Sequence, residues 1–511
     1  MAKNSGKKST EKSAQTHDIN GFWVRIFKLL EPSHGQIVRL LTLIVVLEVS
    51  RFVGPYILKL IIDLITNFSI EKVDTLLLFV IGMFAANQTT SFIVFFQDKR
   101  IFKILVDVEI YLFRDAFSKM LHLSLGYHEK ENTGNKITKI QRGIYKIDEL
   151  LANFFWEVAP TMVQLFFTTI ILFFVDWRFG LIVSVFAPIF LVLTIQINKN
   201  VYPLRKVRYK MEEDAAGTMT QAIININAVK SFIQEERENN FFGKIRAGIK
   251  KQLLNEFGQI FKQNLKRNFV IDFGRALIIA AGVYLIYQEG ITIGTMVFVY
   301  TISEKALLSL FRISRLYDRI MESAEAVDRL YFLSLEESDI KNPENGLKPE
   351  SLRGEIEFRD VHFSYKGSKM KALDNVSLKI HSDCVTALVG PSGGGKTTVV
   401  RMLYRHYDAT EGEILLDGKN IKDYDIQGFR RFMAIVPQDV EIFSTSIRDN
   451  ISYARPDATF QEIQAAARIA NAEEFIAQFE KGYDTMAGER GVKLSGGQRQ
   501  RIGIARAILA N

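Results

Sequence analysis

The chain has 511 residues, 48% of them hydrophobic and 24% charged, with 39 Phe and only 10 Pro. That length exceeds one compact core, and the mixture is too apolar for an ordinary soluble protein yet too charged for a purely membrane one. The net charge of +8 admits a nucleic acid or a membrane surface as partner, and one cysteine, Cys384, excludes an intramolecular disulfide.

Residues 1–17 are rich in Lys and Ser and hold no apolar block, which predicts a disordered basic tail lacking the core of a signal peptide. A new region, 18–323, opens with Ile19, Phe22, Trp23, Ile26, Phe27 and Leu30 on one helical face and Arg25 and Lys28 on the other. This stripe fits a helix lying in the membrane interface, or an ordinary surface helix on a core; its place just before a span favours the interface.

Six spans are predicted. Leu76–Phe96 and Phe179–Ile197 are free of charge, and Val158–Val175 is nearly as clean; each can cross about 30 Å of hydrocarbon. Ile37–Asn67 carries Glu48, Arg51, Lys59 and Asp63; Asn268–Gln288 carries Asp272 and Arg275; Ile291–Leu310 carries Glu304 and Lys305. Lys305 and Arg275 are equally compatible with a position near the headgroups, whereas Glu48, Arg51 and Asp63 are candidates for facing a wet cavity. The stretches Asn67–Thr75, Asp176–Arg178 and Glu289–Gly290 are tiny, while Asp98–Glu149 and Asn198–Arg267 are long and basic. The basic excess places the long stretches and both termini in the cytosol, as membrane helices prolonged beyond the bilayer. The charge therefore points to a membrane and away from nucleic acid.

Turn residues from Ser338 to Gly346 mark a linker, bounded as 324–353, before an α/β domain at 354–511. Its predicted strands are Glu355–Tyr365, Val376–Ile380, Cys384–Val389, Glu413–Leu416 and Met433–Val436, with Cys384 expected as a buried, inert thiol. Cys384–Val389 runs into Gly390-Pro391-Ser392-Gly393-Gly394-Gly395-Lys396-Thr397-Thr398, and a helical segment runs out of it. The pattern G-x-x-x-x-G-K-T between strand and helix is a phosphate-binding loop: glycines let successive N–H groups curl around phosphate oxygens, at a helix N-terminus. Lys396 is placed to reach the outer phosphates of a nucleoside triphosphate, and the Thr397 hydroxyl to ligate Mg²⁺.

A second motif, Leu494-Ser495-Gly496-Gly497-Gln498, precedes a strongly helical run. Alone it is an ordinary helix start. After a phosphate loop in one α/β domain, it makes the chain resemble an ATP-binding cassette (ABC) transporter half of the exporter type. The resemblance covers essentially everything after the tail and implies a membrane all-α six-helix domain followed by an α/β P-loop NTPase domain. It implies ATP and Mg²⁺ as cofactors, and a second half-transporter, identical or not, as partner. It also implies membrane lipid around the spans, a substrate of drug, lipid or peptide class, and a plasma or inner membrane location with residues 354–511 in the cytoplasm. It further implies that Tyr365 stacks on adenine, unless it is only a strand-end aromatic packed on the sheet. Gln438 would meet Mg²⁺ and the attacking water. Ser495, Gly496, Gly497 and Gln498 would touch the γ-phosphate held by the other subunit. Lys396, Gln438 and Ser495 would be the catalytic residues. Gly126–Glu131 and Ile226–Phe232 resemble coupling helices.

Two departures stand out. Ser382-Asp383 replaces a customary glycine before the phosphate-loop strand, and the chain stops at Asn511, before the Mg-binding aspartate, catalytic glutamate and switch histidine of the family. His406 does not replace that histidine. The chain as written is expected to be inactive, and a non-hydrolysing ATP-binding membrane protein that regulates a partner is the alternative reading.

Overall fold

In the computed structural model two compact units divide the chain, Met1–Lys119 with Gly134–Leu335 and Met120–Thr133 with Glu336–Asn511. The structure describes residues 19–510 apart from 130–132, 289, 367, 369, 489, 490 and 492. The basic tail, the side chains of Ile19 and Trp23, and Glu131 lie outside the described set.

The first unit is helical. Its elements are α1 (Ile19–Leu29), α2 (His34–Ser50), α3 (Val53–Thr66) and α4 (Val73–His122). After α5 (Leu125–Glu129), which belongs to the second unit, come α6 (Thr133–Asn153), α7 (Ala159–Val175) and α8 (Trp177–Ile224). A π-helical turn, Phe154–Val158, joins α6 to α7. Then come α9 (Ile226–Ser231), α10 (Glu235–Tyr287) and α11 (Ile293–Leu335). Helices α4, α8 and α10 run 50, 48 and 53 residues. At 1.5 Å per residue each is roughly two and a half times as long as the hydrocarbon is thick, so the long basic stretches are prolongations of spans. Large side chains stay uncovered where lipid is expected; Phe174 is 87% exposed.

Among the described residues five helical segments are long and apolar enough to cross a membrane, and they match five of the six predicted spans. The sixth, Ile37–Asn67, is two helices that break at Arg51–Phe52. Pro55 is the cause: it has no N–H to give the Arg51 carbonyl, and its ring crowds that carbonyl four residues back. Gly54 beside it adds freedom, whereas Pro188 and Pro203 are carried inside α8 without interruption. The composition change after Ser323 falls within α11, which continues to Leu335.

The stripe on α1 packs on protein. Phe22, Ile26, Leu29 and Leu30 join a core with Leu40, Ile104, Ile147 and Val327, and Arg25 pairs with Asp328 at 2.8 Å. Phe27 and Val24 remain exposed. The packed-helix alternative thus accounts for the apolar stripe.

In the second unit four antiparallel strands run in the order β2-β1-β3-β4: β1 (Ile356–Phe363), β2 (Leu373–Ile380), β3 (Glu411–Leu416) and β4 (Lys419–Asn420). One face packs Phe358, Val361 and Ile414 against Val399 and Met402 of α12 (Lys396–Leu403) and Phe429 of α13 (Ile426–Arg430). A separate core gathers α14 (Ile447–Ser452), α15 (Phe460–Ile469), α16 (Glu473–Ala477) and α17 (Gly496–Ala510).

Two predicted strands are corrected. Cys384–Val389 and Met433–Val436 form no ladder among the described residues, and Cys384 is exposed rather than buried. Val385 and Val389 are 103% and 90% exposed. A buried strand needs hydrogen-bonded neighbours beside it and layers over its faces, and this run has neither.

Candidate functional site

The loop from Gly390 to Lys396 takes its shape from glycine. Gly390, Gly393 and Gly395 have φ of 155°, 84° and 83°, values that side chains with a β-carbon rarely adopt. At Gly395 a Cβ would also lie 2.7 Å from the Ala372 carbonyl oxygen and 2.8 Å from Leu373 Cδ2. Gly395 is the N-cap of α12 and makes no side-chain cap hydrogen bond. The first N–H groups of the helix are therefore left for an anion.

Lys396 Nζ donates to the carbonyl oxygens of Gly390 (3.0 Å) and Pro391 (2.7 Å), so its ammonium is held inside the loop. Thr397 is exposed at the start of α12; Thr398 is buried, 3.1 Å by its Oγ1 from the Tyr365 hydroxyl. The Tyr365 ring is half-buried, edge-on to Phe363 (4.9 Å) and Tyr407 (5.3 Å). This is the packing of a strand-end aromatic, and a base could reach only the part of the ring left open. The donor set nevertheless fits a magnesium-bound triphosphate: a loop shaped by left-handed glycines, uncapped N–H groups, one ammonium and an exposed threonine hydroxyl. Just upstream, Asp383 takes φ of 55°. The turn demands a left-handed residue, and Asp tolerates that region where most side chains do not.

Gln438 is exposed, and the segment after it is fastened to α17. Gly503 gives Val440 room, since a Cβ there would sit 2.7 Å from Val440 Cγ2. Arg506 donates to the carbonyls of Glu441 (3.0 Å) and Asn450 (2.8 Å). Asn450 is 0% exposed; it accepts from Phe443 N–H at 2.9 Å and donates to the Phe443 carbonyl at 2.9 Å. Burial lowers the Arg506 pKa below the usual arginine value.

Ser495 and Gln498 form a reciprocal cap at the start of α17. Ser495 N–H donates to Gln498 Oε1 at 2.8 Å, and Gln498 N–H donates to Ser495 Oγ at 3.2 Å. This is a capping box, with glutamine at the third helical position. Ser495 Oγ is an acceptor in it, which leaves its own hydrogen to donate elsewhere. Ser495, Gly496 and Gly497 are exposed. The phosphate loop and this motif stand on different cores of the unit, and no hydrogen bond links them among the described residues.

Three site neighbours carry no recognisable sequence pattern: Glu129, Arg401 and Tyr407. Glu129 closes α5, which coincides with the first predicted coupling helix as α9 does with the second. It pairs with Arg401 of α12 and accepts a hydrogen bond from the Tyr407 hydroxyl. His406, beside them, is held down to about 4 by burial and by the charges of Arg430 and Arg401.

The fold and these motifs define a phosphate-loop ATPase domain joined to a helical membrane domain. Family profiles agree: "ABC transporter transmembrane region" matches residues 37–309 and "ABC transporter" matches residues 373–511. The chain belongs to the ABC transporter family, as an exporter-type, multi-pass integral membrane protein with a cytoplasmic ATPase domain. It is similar to YgaD of Bacillus subtilis (strain 168), provisionally named a multidrug export ATP-binding/permease protein, at 31% identity over 80% of this chain and 70% of that one. The ATP-dependent lipid A-core flippase of Yersinia pestis bv. Antiqua (strain Antiqua) is 28% identical over 95% of this chain and 83% of its own. A solved bacterial Atm1-family ABC exporter with ATP bound matches with TM-score 0.81 and 27% identity, covering 94% of this chain and 84% of that one. Other relatives are longer; the chain spans 57% of one from Dictyostelium discoideum and 47% of one from Xenopus tropicalis.

Proposed function

We propose that the protein exports a substrate across a membrane as one half of a dimer powered by ATP. The observation that carries this reading is the loop at Gly390–Lys396, with its left-handed glycines and uncapped helix start. The loop N–H groups would hold the inner phosphate oxygens, and Lys396 would exchange two carbonyls for an outer phosphate oxygen. The Thr397 hydroxyl and the Gln438 side-chain oxygen would hold Mg²⁺, which would neutralise phosphate charge there. Tyr365 would meet the adenine. Bound MgATP supplies the γ-phosphate whose hydrolysis resets the cycle.

Ser495 would donate its free hydroxyl hydrogen, and Gly496 and Gly497 their N–H groups, to a phosphate bound on the second chain. In this reading one chain pairs its phosphate loop with the Leu494–Gln498 motif of its partner, which is supported by the two motifs standing on separate cores of the unit. Closing the pair would move α5 and α9 with the ATPase domains and tip the membrane helices outward. The cargo falls in the range the relatives' names give, multidrug export or lipid flipping.

MgATP binding to the purified chain tests the reading. Wild-type protein should bind saturably, and Lys396→Ala at least about tenfold more weakly, as expected for loss of a charge-assisted contact. Equal binding by the two would reject the phosphate-loop assignment.

A further inference from the structure

The break between α2 and α3 opens on a cavity of about 580 Å³ within the first unit. Glu48, Arg51, Lys305 and Arg312 line it, with Phe52 and Phe311 among its apolar walls. One acid faces three bases, in a region where ionisable side chains are expensive and mark function by default. Glu48 is 1% exposed; its Oε1 accepts from Arg51 Nη1 at 2.6 Å, and its Oε2 is buried with no hydrogen-bond partner. Arg312 Nη2 donates to Gln164 Oε1 at 3.2 Å. Lys305 is exposed, with no hydrogen bond or ion pair among the described residues. Two other cations of the unit are matched: Arg275 with Glu304 at 3.3 Å, and Arg208 with Glu256 at 2.7 Å. Asp63, the other candidate for a wet cavity, instead accepts from Gly294 N–H at 2.9 Å and caps α11.

We propose that this cavity binds an organic anion, its phosphate or carboxylate group held by Lys305 and Arg312 and its apolar body set against Phe52 and Phe311. Arg51 already answers the charge of Glu48, so the charge of Lys305 is what a ligand would neutralise, with Arg312 lining the same cavity as a second donor. A cation would meet only a carboxylate that is already paired. Opposite charges attract across this cavity, less strongly where water reaches the exposed Lys305 than at the buried Glu48 end. The role of the bound anion as cargo rests on the transport reading, but binding itself requires no nucleotide.

The test uses the full chain in phosphatidylcholine nanodiscs with three probes: dodecyl phosphate, which arrives from the bilayer, 1-naphthyl phosphate, which arrives from water, and dodecyltrimethylammonium. At least one phosphate should bind saturably, and the ammonium should not displace it. Lys305→Gln should weaken that binding roughly tenfold, Lys305→Arg should preserve it, and Glu48→Gln should strengthen it by removing a repelling charge. Binding of dodecyl phosphate alone assigns a lipid-like anion, and of naphthyl phosphate alone a water-borne one. Failure of both phosphates, displacement by the ammonium, or equal affinity in Lys305→Gln and wild type overturns the proposal. MgATP binding to the same samples separates the two readings. If it is lost while anion binding persists, the ATP-driven transport reading fails and the cavity assignment stands; the reverse result removes only the cavity assignment.

Discussion

Glu129 forms an ion pair with Arg401 at 3.0 Å, which ties the short helix between α4 and α6 to the helix that begins at the phosphate loop. Arg401 lies one turn beyond Thr397, and Gly126 stands so close to Tyr407 that a Cβ would come within 3.1 Å of its ring. Residues 120–129 thus pack with the ATPase domain although the chain around them belongs to the membrane domain. This gives the coupling role proposed for α5 a specific contact, the Glu129–Arg401 pair.

Both partners are about one-third exposed, so water screens the pair and its coupling should be modest, about 0.5–1 kcal/mol. A double-mutant cycle of Glu129→Gln and Arg401→Gln, read by thermal unfolding, measures it. Strict additivity of the two substitutions would show that the contact carries no energy and cannot transmit movement through charge.

Gly395→Ala should fold poorly around the loop and bind MgATP at least about tenfold more weakly. The new methyl group would lie 2.7 Å from the Ala372 backbone carbonyl oxygen, and a left-handed non-glycine residue costs about 1–2 kcal/mol by itself. Gly497→Ala, where nothing lies within 4 Å of the added carbon, is the control and should leave nucleotide binding by the isolated chain intact. Equal affinity in Gly395→Ala and wild type would mean the loop does not hold phosphate in this shape.

The left-handed glycine loop at Gly390–Gly395, the Ser495–Gln498 cap and most spans were legible because each is local: a glycine pattern, a Ser-x-x-Gln cap, a run of apolar residues. What escaped depends on distant partners or on packing. Nothing near Glu129 announces Arg401 and Tyr407, and Asn450 reads as one more polar residue until its fully buried amide is found tying Phe443 and Ser446 together. The broken first span was readable from Gly54-Pro55, although Pro188 and Pro203 show that proline alone does not decide. Cys384–Val389 has the composition of a buried strand, but composition cannot supply the neighbours that make one.

His406 gives a pH signature. An unfolded histidine takes a proton near pH 6.5, while the folded one resists until about 4. Between those values the unfolded state binds more protons, so stability falls as pH drops from 6.5 to 4 and levels off below. Because the ring is only partly buried, the loss is discounted to about 1–2 kcal/mol. Thermal midpoints of wild type and His406→Asn should therefore diverge across this window, with the wild type losing more. Parallel curves would place the ring in contact with solvent.

In the proposed cycle two chains close over nucleotide, the phosphate loop of one against Ser495 of the other. The measurement is energy transfer between two chains labelled through Lys481→Cys in a Cys384→Ser background, in nanodiscs, with and without MgATP. MgATP should change the transfer, and Ser495→Arg should abolish that change while MgATP binding persists, because a bulky cation would crowd the opposing site. A change that survives Ser495→Arg, or wild-type protein that binds MgATP with no change in transfer, would contradict the account.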